Sequence, residues 1–120
     1  MRKAENLRVI DVALDLALLT YQATRGFPRD ERFGLVSQMR RAAVSVGSCI
    51  AEGSGRSSER QLLNYLQMAG GSVSELEFQA KLSVRLGFGD AAQLGEVALL
   101  AAVERKMIGK FCSRISDAER

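Results

Sequence analysis

Residues 58–86, SERQLLNYLQMAGGSVSELEFQAKLSVRL, decide the fold. Leu62, Leu66, Ala69, Val73, Leu76 and Ala80 follow one another at alternating spacings of four and three. That alternation keeps all six side chains on one face of a helix and matches a coiled-coil seam. Ser58 followed by Gln61 has the spacing of a capping box, so the helix opens there and runs to about Leu86, a length of about 40 Å at 1.5 Å per residue. Gly70 and Gly71 stand in its middle at a cost of about 1 kcal/mol each relative to Ala, which predicts close helix packing or a slight bend. A seam this long needs other helices to cover it.

The flanking sequence supplies them. Leu35, Met39, Ala42, Ala43, Val46, Cys49 and Ile50 form the inward face of a helix over 35–52, and Gly53 stands where a C′ glycine would stop it. Before it, GFPRDERFG (26–34) reads as a connection, although Pro28 could instead open the next helix's first turn. After Leu86, Gly87-Phe88-Gly89 makes a turn, Asp90 is an N-cap, and Leu94, Val97, Ala101, Ile108, Phe111 and Ile115 give a last helix its inward face. Over 5–24 the pattern is double. Leu7, Ile10, Leu14, Ala17 and Tyr21 make one stripe, and Val9, Val12, Leu16 and Leu19 make a second on nearly the opposite side. The first is expected to face the core and the second to face another copy. Short connections predict an all-α, antiparallel up-down-up-down four-helix bundle, one domain over 1–120.

Composition agrees. The chain has 120 residues, 47% of them apolar, with one proline and 6% aromatics, enough for a single core without staples. Cys49 and Cys112 lie far apart in sequence, the start MRKAEN lacks an apolar signal region, and Asp11 and Asp15 interrupt the longest apolar stretch, so the cytoplasm is the default compartment and no membrane is involved. Histidine and tryptophan are absent. Without histidine the commonest general base and metal ligand is missing, and two isolated cysteines cannot complete a zinc site. No metal, cofactor or catalytic constellation is expected, and the chain reads as a non-enzyme.

Charge is uneven. Residues 25–60 hold seven arginines against four acids and account for the whole net charge of +3. Among them Arg29, Arg32, Arg40, Arg41, Arg56 and Arg60 are candidates for binding phosphate oxygens, in the salt-sensitive, sequence-independent manner of nucleic-acid backbone contacts. The alternative is solvated arginines paired with Glu31, Glu52 and Glu59. The outer face of the second helix, Ser37, Gln38, Arg41, Val44, Ser45, Ser48 and Glu52, is poorly solvating. With the second stripe of the first helix it predicts an oligomer interface built from Val9, Val12, Leu16, Leu19, Val44, Ser45 and Ser48.

Other motifs carry less. Gly53-Ser54-Gly55-Arg56-Ser57-Ser58 lacks both the third glycine of a dinucleotide fingerprint and the Gly-Lys-Ser/Thr of a phosphate loop, and reads as a helix connection. Glu75 and Glu77 point about 200° apart on a helix, and Glu77 with Lys81 is a surface pair. Cys49 and Cys112 fall on or near inward faces, as small buried hydrophobes.

The stretch 27–77 resembles the signature of the bacterial four-helix-bundle proteins called 23S rRNA-intervening sequence proteins. Phe27-Pro28, Gly34-Leu35, Ser37-Gln38, Arg40-Arg41-Ala42-Ala43, Ile50-Ala51-Glu52-Gly53, Gly55-Arg56 and Ser74-Glu75-Leu76-Glu77 fall in order with that family's spacing, and Asn6-Leu7 and Leu86-Gly87-Phe88 extend the match. Members are similar to the accessory variability determinant of diversity-generating retroelements, a basic pentameric barrel that binds nucleic acid and a reverse transcriptase. The resemblance implies a homo-oligomer, a pentamer by that analogy, acting as a scaffold that binds RNA or DNA backbone. A protein–protein adaptor with no nucleic-acid role is the alternative. Where the family commonly has proline in mid-helix, this chain has Gly47, which removes a kink.

Overall fold

The helical pattern is realised as four helices. A computed structural model describes residues 2–118: α1 (Arg2–Thr24), α2 (Leu35–Ser54), α3 (Glu59–Leu86) and α4 (Ala91–Ala118), with a short 3-10 turn, Arg29–Glu31, inside the first connection. Each helix packs on the next and α4 returns against α1, giving a closed up-down-up-down bundle measuring 48 × 22 × 18 Å. The seam of α3 is buried along its whole length, Leu66, Val73 and Leu76 completely, against Met39, Val46 and Ile50 of α2 and Leu94, Val97 and Ile108 of α4 in one core.

The ends follow the local chemistry. Ser58 Oγ accepts the Gln61 N–H at 3.1 Å and Asp90 Oδ1 accepts that of Gln93 at 3.0 Å, capping α3 and α4. Gly87 closes α3 in the left-handed region with φ 76°. Pro28 opens the 3-10 turn rather than α2, and the Glu31 carboxylate takes the Leu35 N–H at 3.1 Å to begin α2.

Several expectations are corrected. Gly53 does not stop α2; the helix continues to Ser54. Gly53 is buried where a Cβ would come within 2.7 Å of Tyr65 Cβ, so glycine there permits the close approach of α2 to α3. Gly71 faces open space, so packing does not require it. α2 is one unbroken helix across Gly47.

The two stripes of α1 largely change places, although Ile10 and Ala17 of the first stay half-buried against the core. Val9, assigned to an oligomer interface, is buried in the bundle's own core, as is Leu16, while Val12 and Leu19 are half-buried. Leu7, Leu14 and Leu18, by contrast, are 58%, 59% and 63% exposed, and Tyr21 is exposed too. The inward stripe is completed by small or self-satisfying residues: Ala13, Ala23, and Thr20 and Thr24, whose hydroxyls donate to the carbonyls of Leu16 and Thr20 at 2.7 and 2.8 Å. A threonine bonded back to its own helix no longer carries an unpaired polar group into the core. Ser45 is likewise turned inward from its expected place on the outer face, half-buried with its Oγ 2.9 Å from Ser72 Oγ on α3.

A carboxylic acid also lies in the core. Glu104 occupies the α4 seam between Ala101 and Ile108, is 0% exposed, and neither carboxyl oxygen has a hydrogen-bond partner. Burial alone pushes its pKa up to about 8. Because the folded value lies above the ordinary 4.5, the unfolded chain releases this proton first as pH rises. The group's contribution to stability is therefore fully present below pH 4.5 and is lost as pH rises towards 8. Chemical denaturation at about pH 5.5 and pH 8.5 should show the native chain losing about 3 kcal/mol more than Glu104→Gln. Equal losses in the two proteins would place the ionised carboxylate in contact with water.

Candidate nucleic-acid interface

The basic end of the bundle is built around the first connection. Phe27 is buried against Phe88 of the α3–α4 turn, with ring centroids 5.7 Å apart. Gly89, at φ 63°, lies so close that a Cβ would meet the Phe27 ring at 2.9 Å. The two connections are thereby locked together. Arg40 is fixed from the other side: its Nε donates to Thr24 Oγ1 at 3.0 Å, its Nη2 to the Tyr21 carbonyl at 3.4 Å, and its guanidinium carbon lies 4.5 Å from the centre of the Tyr21 ring. Between these anchors Arg25, Arg29, Arg32 and Arg40 line an open cleft of about 390 Å³ with Thr24, Phe27, Pro28 and Val36.

No acidic side chain lines that cleft. Asp30 is exposed nearby, and Glu31 is engaged with the Leu35 N–H. Among the described residues Arg25, Arg29 and Arg32 form no ion pair with any acid. An adjoining groove is lined by Tyr21, Ser37, Arg40, Arg41, Val44 and Ser45, so Arg41 continues the basic surface along α2. Guanidinium groups converging without counter-ions suit phosphate oxygens, which accept their paired N–H donors.

Arg56 and Arg60 lie apart, beyond the far end of α2. Arg56 Nη2 donates to Glu52 Oε2 at 2.9 Å and to Tyr65 Oη at 3.0 Å, with its guanidinium 5.2 Å from the Tyr65 ring centre. The Arg56 hydrogen bond, with Tyr65 adding, holds the exposed Glu52 carboxyl below its ordinary range. Arg56 thus braces the α2–α3 connection, and Arg60 is simply exposed. The six predicted arginines divide into four near one end and two at the other.

Two basic features lie outside the six predicted arginines. Arg25 belongs to the cleft, and its place on the connection just before Phe27 was the available signal. The other is on α4, where Arg105, Lys106, Lys110 and Arg114 follow one another with no acid among them, 106, 110 and 114 at the four-residue spacing of one helix face. Arg8 of α1 joins Lys110 and Arg114 around a groove of about 170 Å³. Arg114 is paired with the buried Glu5, which ties the end of α4 to the start of α1. Counting hid this stripe because Glu104, one of the acids that balances it, points into the core.

The remaining candidates are structural. Burial acts to raise the pKa of Glu77, but hydrogen bonds from Lys81 and Arg105 outweigh it and hold the carboxyl below its ordinary value. Cys49 and Cys112 are free and half-buried rather than fully buried, and burial pushes the Cys112 thiol up, away from a reactive thiolate. Among the described residues no cluster of potential ligands could hold a metal, and no helix is long and apolar enough to cross a membrane.

The sequence profile of the family described as 23S rRNA-intervening sequence protein matches residues 5–110. No curated protein matches the chain. A solved structure, a protein with unknown function from the S23 ribosomal protein family of Bacteroides thetaiotaomicron VPI-5482, is similar with a TM-score of 0.82 at 19% identity, over 91% of this chain and 98% of that one. At that identity the likeness establishes the bundle and its connectivity.

The contacts divide the arginines into fixed and free. Arg40→Ala should cost about 1–2 kcal/mol in urea unfolding, because it removes charged hydrogen bonds and a cation–π contact. Arg29→Ala should stay within about 0.5 kcal/mol of the parent. Equal costs for the two would remove the distinction.

Proposed function

The chain belongs to the 23S rRNA-intervening sequence protein family, and from that premise we propose that it is a non-enzymatic, homo-oligomeric helical scaffold that binds the phosphate backbone of RNA or DNA through arginines. The observation that carries the binding half is the cleft lined by Arg25, Arg29, Arg32 and Arg40 without an acid. Arg41 extends that surface, and the stripe of Lys106, Lys110 and Arg8 adds a second basic strip on the α1–α4 side.

The assembly half is supported by the outward stripe of α1. Leu7, Leu14, Leu18 and Tyr21 leave an outward apolar stripe, interrupted by Asp11, and Tyr21 shares a groove with exposed Val44 of α2, a surface that gains by being covered. This surface takes the place of Val9 and Leu16 in the interface. A ring of five such bundles, the assembly that the resemblance implies, would multiply the net charge of +3 fivefold and bring several arginine clefts onto one polyanion.

Titration of a fluorescein-labelled duplex should show affinity falling at least about tenfold between roughly 50 and 200 mM salt. Reversing Arg25, Arg29 and Arg32 to glutamate should abolish binding. Reversing Arg60 should weaken it far less. Absence of binding at low salt, or retention unaffected by the triple reversal, would favour the adaptor reading, in which these arginines meet an acidic protein.

A further inference from the structure

The connection that carries the arginines also carries an unexplained aromatic. Phe27 and Phe88 are consumed in locking the two turns together, but Phe33, six residues after Phe27, is 86% exposed. It is the most exposed of the large hydrophobic side chains, and no core contact accounts for it. Its position is nevertheless defined. The 3-10 turn Arg29–Glu31 precedes it, and the Arg32 N–H donates to the Arg29 carbonyl at 3.1 Å. Just after it, the Gly34 N–H donates to the Glu31 carbonyl at 3.0 Å, while the Glu31 carboxylate caps α2. Gly34 is packed so closely on that carboxylate that a Cβ would come within 2.8 Å of it. A braced backbone therefore presents Phe33 to solvent.

One face of the ring is already used. The Arg32 guanidinium carbon lies 5.4 Å from the Phe33 ring centre, and Arg32 is one of the four arginines lining the cleft. The aromatic surface and the phosphate-binding surface are thus joined through a single side chain. An exposed aromatic ring beside unpaired guanidinium groups is the combination that holds an unpaired base: the ring stacks on it while the cations take the flanking phosphates. A base inside a duplex is stacked on both sides and cannot make that contact without being extruded.

We infer that Phe33 is a stacking platform for an unpaired base, and that the preferred ligand of the arginine cleft is single-stranded nucleic acid. The inference rests on the backbone-binding reading above and adds the class of nucleic acid. Charge complementarity favours this occupant over an apolar segment of a partner protein: Arg25, Arg29, Arg32 and Arg40 surround the approach, whereas the acids of the segment are Asp30, which is exposed, and Glu31, which is engaged.

The test uses the full chain and labelled oligo(U) and oligo(dT), each beside a duplex of equal length. Phe33→Ala should weaken single-strand binding roughly tenfold, the loss of one stacked base, and leave duplex binding unchanged. Phe33→Trp should retain affinity and supply the only indole in a chain that has no tryptophan. Its emission should be quenched by the single strands and not by the duplexes. Equal losses on single strand and duplex, no loss on either, or an indole left unquenched by a bound strand would overturn the inference. Arg25→Glu with Arg29→Glu separates the two levels. If that pair abolishes binding while Phe33→Ala changes nothing, the backbone reading stands and the stacking platform falls; if the native chain binds no oligonucleotide at low salt, both fall.

Discussion

A helix that is apolar around most of its circumference can turn only one side into a four-helix bundle, and α1 imposes that constraint on the rest of the structure. The side it buries is the one with the smaller side chains, Val9, Ala13, Leu16, Thr20 and Ala23, and the larger Leu7, Leu14, Leu18 and Tyr21 are left outside. Burying threonine is cheap here because each hydroxyl donates to a carbonyl one turn back. The choice has two consequences at opposite scales. Locally, the outward Tyr21 becomes the surface on which Arg40 rests. Globally, an apolar stripe is left without a partner inside the chain.

The same choice organises the basic end. With Thr24 turned inward and Tyr21 outward, Arg40 is held between them, and with Phe27 seated on Phe88 the connection has little freedom. Arg25, Arg29 and Arg32 project from this braced segment without an acid beside them, and Phe33 projects with its ring against Arg32. Their desolvation is small, so as surface charges they stabilise the fold little and remain available to a ligand. The far end shows the contrast: Arg56 is engaged by Glu52 and Tyr65, and Arg114 by Glu5.

Much of this was legible in the sequence. The four–three alternation from Leu62 to Ala80, the Ser58 and Asp90 caps and the Gly87 stop fixed the helices because those signals are local. The choice between the two stripes of α1 was not legible, since it depends on which stripe fits against α2 and α4, and since hydropathy counts Thr20 and Thr24 as polar when their helix has already satisfied them. Gly53 was misread for a related reason: a glycine near a helix end serves equally as a stop or as a place for close approach, and only Tyr65 of the neighbouring helix decides between them. For the candidate site, the arginine excess of residues 25–60 was plain. Its division between two ends followed from the antiparallel turn, and the α4 stripe was masked by Glu104, an acid that periodicity places in the core and charge counting places on the surface.

The proposed assembly would cover the outward stripe of α1 and bring the arginine cleft of each copy onto one ligand. Light scattering of the purified chain at tens of micromolar tests it most directly. The expected mass is two or more times 13.1 kDa, reduced to that of a single folded, fully helical chain by Leu14→Glu with Leu18→Glu. A native chain that scatters as a monomer at that concentration would contradict it.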